Sequence, residues 1–310
     1  MTDIILHHYA GSPYSEKIRA ILGYKRLPWR SVTQPAVMPK PDLVALTGGY
    51  RKIPVLQLGA DVYCDSGLIA RVLDRLQPDP PLMPAQHRIS CAAFAALEQD
   101  LFLASVPVLF QPDGLKAMAK VLGEVSLDAF ARDRAALFAG GNTPRPRPEL
   151  AKTRFLPLIN ALDQQLAAQP YVLGEAPTLA DFIAYHPVWF VRCNPGVAGT
   201  LAPFRNVLAW AERIRALGHG SPQDLAPDAA LEAALQARSA QEFDGPSLAP
   251  DGIALGRSVS VRATDYGCDP MAGTLVHASV FEMVLERQDP RAGKLRVHFP
   301  RQGFAVAAQE

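Results

Sequence analysis

No charge of one sign dominates this chain. Its 31 Lys and Arg residues stand against 30 Asp and Glu, a formal net charge of +1, so no global field points to nucleic acid or an anionic membrane as a partner. Cysteine is sparse and solitary: Cys64, Cys91, Cys193 and Cys268 include no C-x-x-C pair. That argues against a disulfide framework or a zinc ribbon and fits a reducing compartment. Met1 runs straight into "TDIILHHY" without a basic n-region or a small-residue cleavage site, unlike a secretory leader. No apolar run is expected to reach the ~20 residues of a membrane span. The expectation is a cytoplasmic protein with neither a membrane nor a nucleic-acid partner.

Proline, by contrast, is abundant, 28 of 310 residues against a usual ~5%, and it punctuates the chain. The length suggests two or three domains. Residues 3–9 and 29–34 read as strands, and Pro13 opens a helix whose apolar stripe is Tyr14, Ile18, Ile21 and Leu22 at helical spacing. A short helix at 41–46 ends at Gly48-Gly49, a hairpin joins 54–58 to 61–64, and a helix over 66–76 turns Leu68, Ile69, Val72, Leu73 and Leu76 inward. The order is βαβαββα. "QPDPPLMP" (77–84) is a linker in which no helix persists.

Residues 85–218 read as almost entirely helical, with Thr178 and Asp181 in a capping-box arrangement and Pro187 expected to kink or end its helix. Residues 219–252 read as a linker with one weak helix. Residues 253–310 read as all-β, with a D-P-x-A-G pentad at Asp269–Gly273 and again at Asp289–Gly293, expected as hairpin turns. About fifty-five residues of β-structure rarely bury enough apolar area to stand alone. The segment is therefore expected to dock on the helical block or on a partner subunit, through candidates such as Val280, Phe281, Leu295 and Phe299.

Three short stretches carry chemistry. Ser12 before Pro13 is either a helix cap or a hydroxyl placed where a helix N-terminus favours a sulfur anion. Pro54 opens a strand, so it lies at an edge or a strand start. Asp65-Ser66 precede a helix, where free N–H groups and a carboxylate either cap the helix or grip a small ligand carrying both charges. His7-His8 should place one ring in and one out, with no metal-ligand partner at suitable spacing. Cys64 reads as a small buried strand residue rather than a redox centre. Trp189 and its aromatic neighbours read as helical core that could also wall a ligand pocket.

Together, in this order, these stretches resemble the glutathione transferase superfamily, closest to its omega-like branch with C-P-[FY]-x-E-[KR]. Here that stretch is Ser12-Pro13-Tyr14-Ser15-Glu16-Lys17, followed by Lys40-Pro41, Ile53-Pro54-Val55-Leu56 and Asp65-Ser66. Lys40 lies 14 residues before Pro54 and Asp65 lies 11 after it. The resemblance covers residues 1–218.

It implies a thioredoxin-like α/β domain (1–80) and an all-α helical domain (85–218); the small C-terminal all-β domain (253–310), read from the residues themselves, has no counterpart in the family's ordinary fold. Glutathione would be the co-substrate, a small electrophile the second substrate and a homodimer the assembly, with no metal. Pro54 would be a cis-proline exposing the backbone of Ile53 to glutathione, and Asp65 and Ser66 would hold the γ-glutamyl end. Lys40 would neutralise the glycyl carboxylate, with Lys52 as the alternative. Tyr14, Phe102, Val106 and Trp189 are candidates for the electrophile site. Ser12 stands where the omega-like branch carries Cys, which disfavours thiol exchange and favours a hydroxyl that donates to the glutathione thiolate. The competing reading is a non-catalytic scaffold that retains the fold.

Overall fold

The structure, a computed structural model, describes residues 3–121, 125–143, 151–239, 242–250 and 252–309. The first eighty residues form β1 (Ile4–His8), α1 (Pro13–Tyr24), β2 (Pro28–Thr33), α2 (Pro41–Thr47), β3 (Val55–Leu58), β4 (Asp61–Cys64) and α3 (Ser66–Leu76). β1 pairs parallel to β2 and antiparallel to β3, and β3 pairs antiparallel to β4. This is the expected βαβαββα layout of a thioredoxin-like domain. Helices α4 (Arg88–Leu109), α5 (Pro112–Val121), α6 (Leu127–Leu137), α7 (Ala151–Leu166), α8 (Leu179–Arg192) and α9 (Arg205–Ala216) follow. One hydrophobic core runs from Ile18, Leu22 and Ile69 of the first domain to Phe182, Val188 and Trp210 of the helices.

At the start of α8, Asp181 accepts the Thr178 backbone N–H, and its other oxygen accepts from Val172 N and Trp210 Nε1. The N3 carboxylate thus caps its helix and ties it to α9. Pro187 neither ends nor shortens α8, which continues to Arg192. Pro187 and the residues around it are buried in the core, and tertiary packing overrides the local preference. The helix from Ala85 to Leu109, with mean hydropathy 1.4, is long and apolar enough to cross a membrane by length and composition, contrary to the sequence expectation. It packs on α7 and α8 along part of its surface, while Ile89 and Leu97 remain exposed on it.

The remainder departs most from expectation. The stretch read as a linker holds the helix expected there, α10 (Pro227–Gln236), and an unexpected strand, β5 (Ser221–Asp224), parallel to β2. Strands β6 (Ser258–Ala263), β7 (Met271–Ala278), β8 (Glu282–Asp289), β9 (Gly293–Pro300) and β10 (Phe304–Ala308) complete one ten-stranded sheet, ordered β10-β6-β7-β8-β9-β4-β3-β1-β2-β5. β9 pairs parallel to β4, with Asp61 opposite Arg296 and Tyr63 opposite His298. The segment expected to dock on the helices or a partner therefore extends the first domain's own sheet. Leu295, Val297 and Phe299 share a core with Leu43, Val55 and Val62, while Val280 and Phe281 remain exposed. The pentad at Asp289 makes the β8–β9 turn, its carboxylate accepting from Arg291 N and Ala292 N before Gly293 at φ 76°. The pentad at Asp269 instead runs into β7, so it is no hairpin turn.

His7 and His8 are both buried, not one in and one out. β1 is an interior strand with cover on both faces. His7 meets Gln57 and Gln34, and His8 meets Ser31 and Arg19.

A buried ionic triad sits in the β4–β9 seam. His298, fully buried, places Nδ1 2.9 Å from Glu282 Oε2 and Nε2 3.1 Å from Asp61 Oδ1, and stacks on Tyr63 at 4.2 Å. An imidazole donates from both nitrogens only when protonated. Burial pushes its pKa down, but hydrogen bonds to and charges of Asp61 and Glu282 outweigh burial and raise it. Burial likewise pushes Glu282 up, and His298, the Asp244 N–H and Arg75 bring it below its ordinary value.

A raised imidazole pKa contributes stability fully below the free value of ~6.5 and loses it as pH climbs through the folded value. A lowered carboxyl pKa contributes above its free value and loses the contribution as pH falls through the folded one. The triad therefore stabilises most between about pH 4.5 and 6.5. His298→Gln should cost ~3–5 kcal/mol near pH 6. Thermal melts should show the gap to the unsubstituted protein narrowing from pH 6.5 to 9; a constant gap would assign the loss to packing.

Candidate functional site

α1 opens because Ser12 caps it and Pro13 supplies a preset φ at its first position. The Ser12 hydroxyl accepts from Ser15 N at 3.2 Å, and the Ser12 backbone N–H donates to Tyr9 O. Only 3% of Ser12 is exposed. The Ile53–Pro54 peptide is cis, immediately before β3. At the end of β4, Asp65 takes φ 77°, and its Oδ1 accepts from Gly67 N at 2.7 Å at the start of α3. That carboxyl is pushed up by burial, against the opposing charges of Lys52 and Lys17.

These elements face a cavity of about 600 Å³ between the first domain, α4 and the C-terminal strands. Of the residues singled out in the sequence, Tyr14, Lys52, Ile53, Pro54, Asp65 and Ser66 line it; Ser12, Lys40, Phe102, Val106 and Trp189 do not. Lys40 is buried elsewhere, its Nζ donating to Arg51 O at 3.1 Å, with its pKa lowered to about 8 by burial and the Arg134 and Arg51 charges. Phe102 packs behind Tyr14, ring centroids 4.9 Å apart. Val106 lies one turn further along α4, past Glu98 and Gln99 of the wall, and Trp189 packs against the helical core. Among the described residues, no group of three or more His, Cys, Asp or Glu side chains is placed to hold a metal ion.

Every cation lining the cavity already has a protein carboxylate. Lys17, fully buried, donates to Glu98 at 2.5 Å, and His186 Nε2 lies 3.0 Å from the same oxygen. Burial pushes Glu98 up, but Lys17 and His186 bring it down to about 2. Arg71 on α3 pairs with Asp244 at 2.9 Å and lies over the Phe281 ring. Lys52 donates to both oxygens of Asp265, at 2.9 and 3.2 Å. Its ammonium also faces the rings of Tyr266, Phe304 and Tyr50, 4.4, 5.6 and 5.8 Å from their centroids.

Sequence reasoning missed Asp265 and Tyr266. They lie on the β6–β7 connection, 213 positions from Lys52, and nothing local marks them. That connection is clamped against the helical block. Asn142 N donates to Thr264 O, Thr143 N to Asp265 O, and Gly267 N to Leu137 O, while Tyr266 stacks on Phe138 at 4.8 Å. Tyr14 and Tyr266 both line the cavity, and burial pushes the phenol pKa of both tyrosines up.

A thioredoxin-like sheet with a cis-proline before β3 and a capping carboxylate before α3, packed on a helical block, defines the glutathione transferase fold. Comparison with known families agrees: the glutathione S-transferase N-terminal domain matches residues 6–81 and the C-terminal domain residues 127–216. A crystal structure of a GST-like protein from Pseudomonas syringae is 37% identical, covers 100% of both chains and superposes with a TM-score of 0.83. This chain belongs to the glutathione S-transferase superfamily. The Rhodospirillum rubrum glutathione S-transferase is similar over 68% of this chain and 87% of its own, at 17% identity and a TM-score of 0.52. The beta-etherase LigF from Sphingobium is similar over 70% and 96%, at 18% identity and a TM-score of 0.51; these two share the fold alone. A search of curated proteins found no match.

The clamp has a steric signature. A Cβ on Gly141 would lie 1.8 Å from Asp265 O, so Gly141→Ala should push the connection off the helices and cost ~1–3 kcal/mol. Gly199→Ala, where a Cβ meets nothing within 4 Å, should stay within ~0.5 kcal/mol. Equal melting temperatures for the two variants would show that the connection bears no strain from this contact.

Proposed function

We propose that the cavity binds glutathione and that the protein adds the glutathione thiolate to a small electrophile. The observation that supports this reading is the convergence of Ile53, cis-Pro54, Lys52, Asp65 and Ser66 on one cavity. Asp65 would meet the γ-glutamyl ammonium, the N-terminal N–H groups of α3 its carboxylate, and the Ile53 backbone the central peptide. The hydroxyl that meets the sulfur is Tyr14's. Its side chain lines the cavity, and burial keeps the phenol protonated, the form that donates to a thiolate. Ser12 serves as the cap that starts α1. The electrophile would lie toward Phe281 and Phe304. A homodimer is part of the reading, supported by Ile89 and Leu97, 79% and 53% exposed on α4, and light scattering checks it.

Loss of one hydrogen bond to an anion costs ~1.5–3 kcal/mol, so Tyr14→Phe should lower kcat/KM toward an activated aryl halide by about 10- to 100-fold. Ser12→Gly, a substitution nearly neutral at an N-cap, should keep full activity. The reverse pattern would move the sulfur to Ser12. The rival reading, a scaffold without a ligand, is favoured by the ion pairs already closing on the cavity's cations. Failure of the protein to be retained on immobilised glutathione would decide for that rival.

A further inference from the structure

We infer that Asp265 is a selectivity-determining residue of the glutathione site: its carboxylate holds Lys52 in the place of a ligand carboxylate, and glutathione binds by exchanging with it. The inference rests on the reading above. A tripeptide with two carboxylates and one ammonium requires cations, and the three that line this cavity differ in what holds them. Lys17 is fully buried and shares one oxygen of Glu98 with His186. The Asp244 partner of Arg71 also donates its backbone N–H to Glu282 of the seam triad. Lys52 is held differently. Its side chain is 11% exposed and that of Asp265 23%, both line the cavity, and among the described residues the Asp265 carboxylate bonds Lys52 alone.

The surroundings favour exchange of the carboxylate over movement of the loop. Asp265 O takes Thr143 N, and the neighbouring Thr264 O and Gly267 N are bonded to the helical block, so the backbone is anchored while the part-exposed carboxylate is held by Lys52. The rings of Tyr266, Phe304 and Tyr50 lie within 5.8 Å of the Lys52 ammonium and attract it through their faces whichever carboxylate is present. With Asp65 and Ser66 placed for the α-amino acid end, the carboxylate that reaches Lys52 is the glycyl one. A ligand without it leaves Asp265 in place and gains nothing from the cation. The site thus selects by the free C-terminal carboxylate, at the cost of one part-buried ion pair.

Calorimetric titration of the full chain with glutathione tests this. Asp265→Asn, which keeps the shape and removes the charge, should bind glutathione roughly five- to tenfold more tightly. The gain should vanish with the glycyl ethyl ester of glutathione and in a Lys52→Gln background. Asp265→Ser serves as the second variant if the Asn form melts early. Equal glutathione affinity with and without Asp265→Asn, both forms binding, overturns the inference and leaves the reading of function standing. A gain that persists with the ester or with Lys52→Gln also overturns it, since Asp265 would then act only as a repelling charge. No binding of glutathione by either form removes the reading and the inference together.

Discussion

An unpaired strand edge is the constraint around which this molecule is built. β4 has one neighbour, β3, within its own domain, and its other edge would present open N–H and C=O groups to solvent. β9 fills that edge as a parallel partner, with Arg296 N donating to Ala60 O at 2.9 Å. The pairing carries a buried imidazole between two carboxylates, Asp61 on β4 and Glu282 on β8. A buried charge of this kind is tolerated only where its partners are placed accurately. The triad therefore specifies which strand may sit on β4 and in which register, because a slip of one residue would turn His298 to the opposite face.

The seam sets the position of everything beyond it. Antiparallel pairing runs from β9 through β8 and β7 to β6 and β10, and the β6–β7 connection returns across the sheet end to reach Lys52. The residues that close the cavity are thus fixed by strand order rather than by loop preference. The same order joins the C-terminal strands to the first domain. The strands after residue 253 share the core of Leu43, Val55 and Val62 with the first domain, and their connection bonds the helical block at Leu137 and Thr143.

Much of the first domain was legible because its signals are local. Ser12-Pro13, the helical stripe behind it, the strand-opening Pro54 and the Asp65-Ser66 cap each declare an element within a few residues, and their spacing placed Lys52, Ile53, Asp65 and Ser66 around one cavity. The failures share a different cause. Ser221–Asp224 form a strand whose residues are all exposed, so no alternation marks it, and its pairing with β2 is made by the sheet alone. Periodicity shows which face of a strand is apolar but not which edge it joins, so the β4–β9 pairing could not be read. His7 and His8 were misjudged for the same reason, since cover on the second face of β1 comes from elements outside the run. Phe102, Val106 and Trp189 were expected at the pocket on apolar character alone, which core residues share equally.

Taken alone, the first domain would present Lys52 and Arg71 without their carboxylates, a basic rim suited to any small anion. The chain beyond residue 240 brings Asp265 to one and Asp244 to the other. The lining becomes nearly neutral, and Asp65 is the one charged group there without an ion-pair partner among the described residues. On the proposed function, such neutralisation would disfavour indiscriminate anion binding, because a ligand would have to offer contacts better than those it displaces. It also couples the site to the fold, since Asp265 lies on the connection between β6 and β7 and the Asp244 backbone is held by Glu282 of β8. A weakened seam would loosen the outer wall and release two cations together. The paired cations of the cavity lining and the joint between β4 and β9 both depend, in this protein, on one strand pairing.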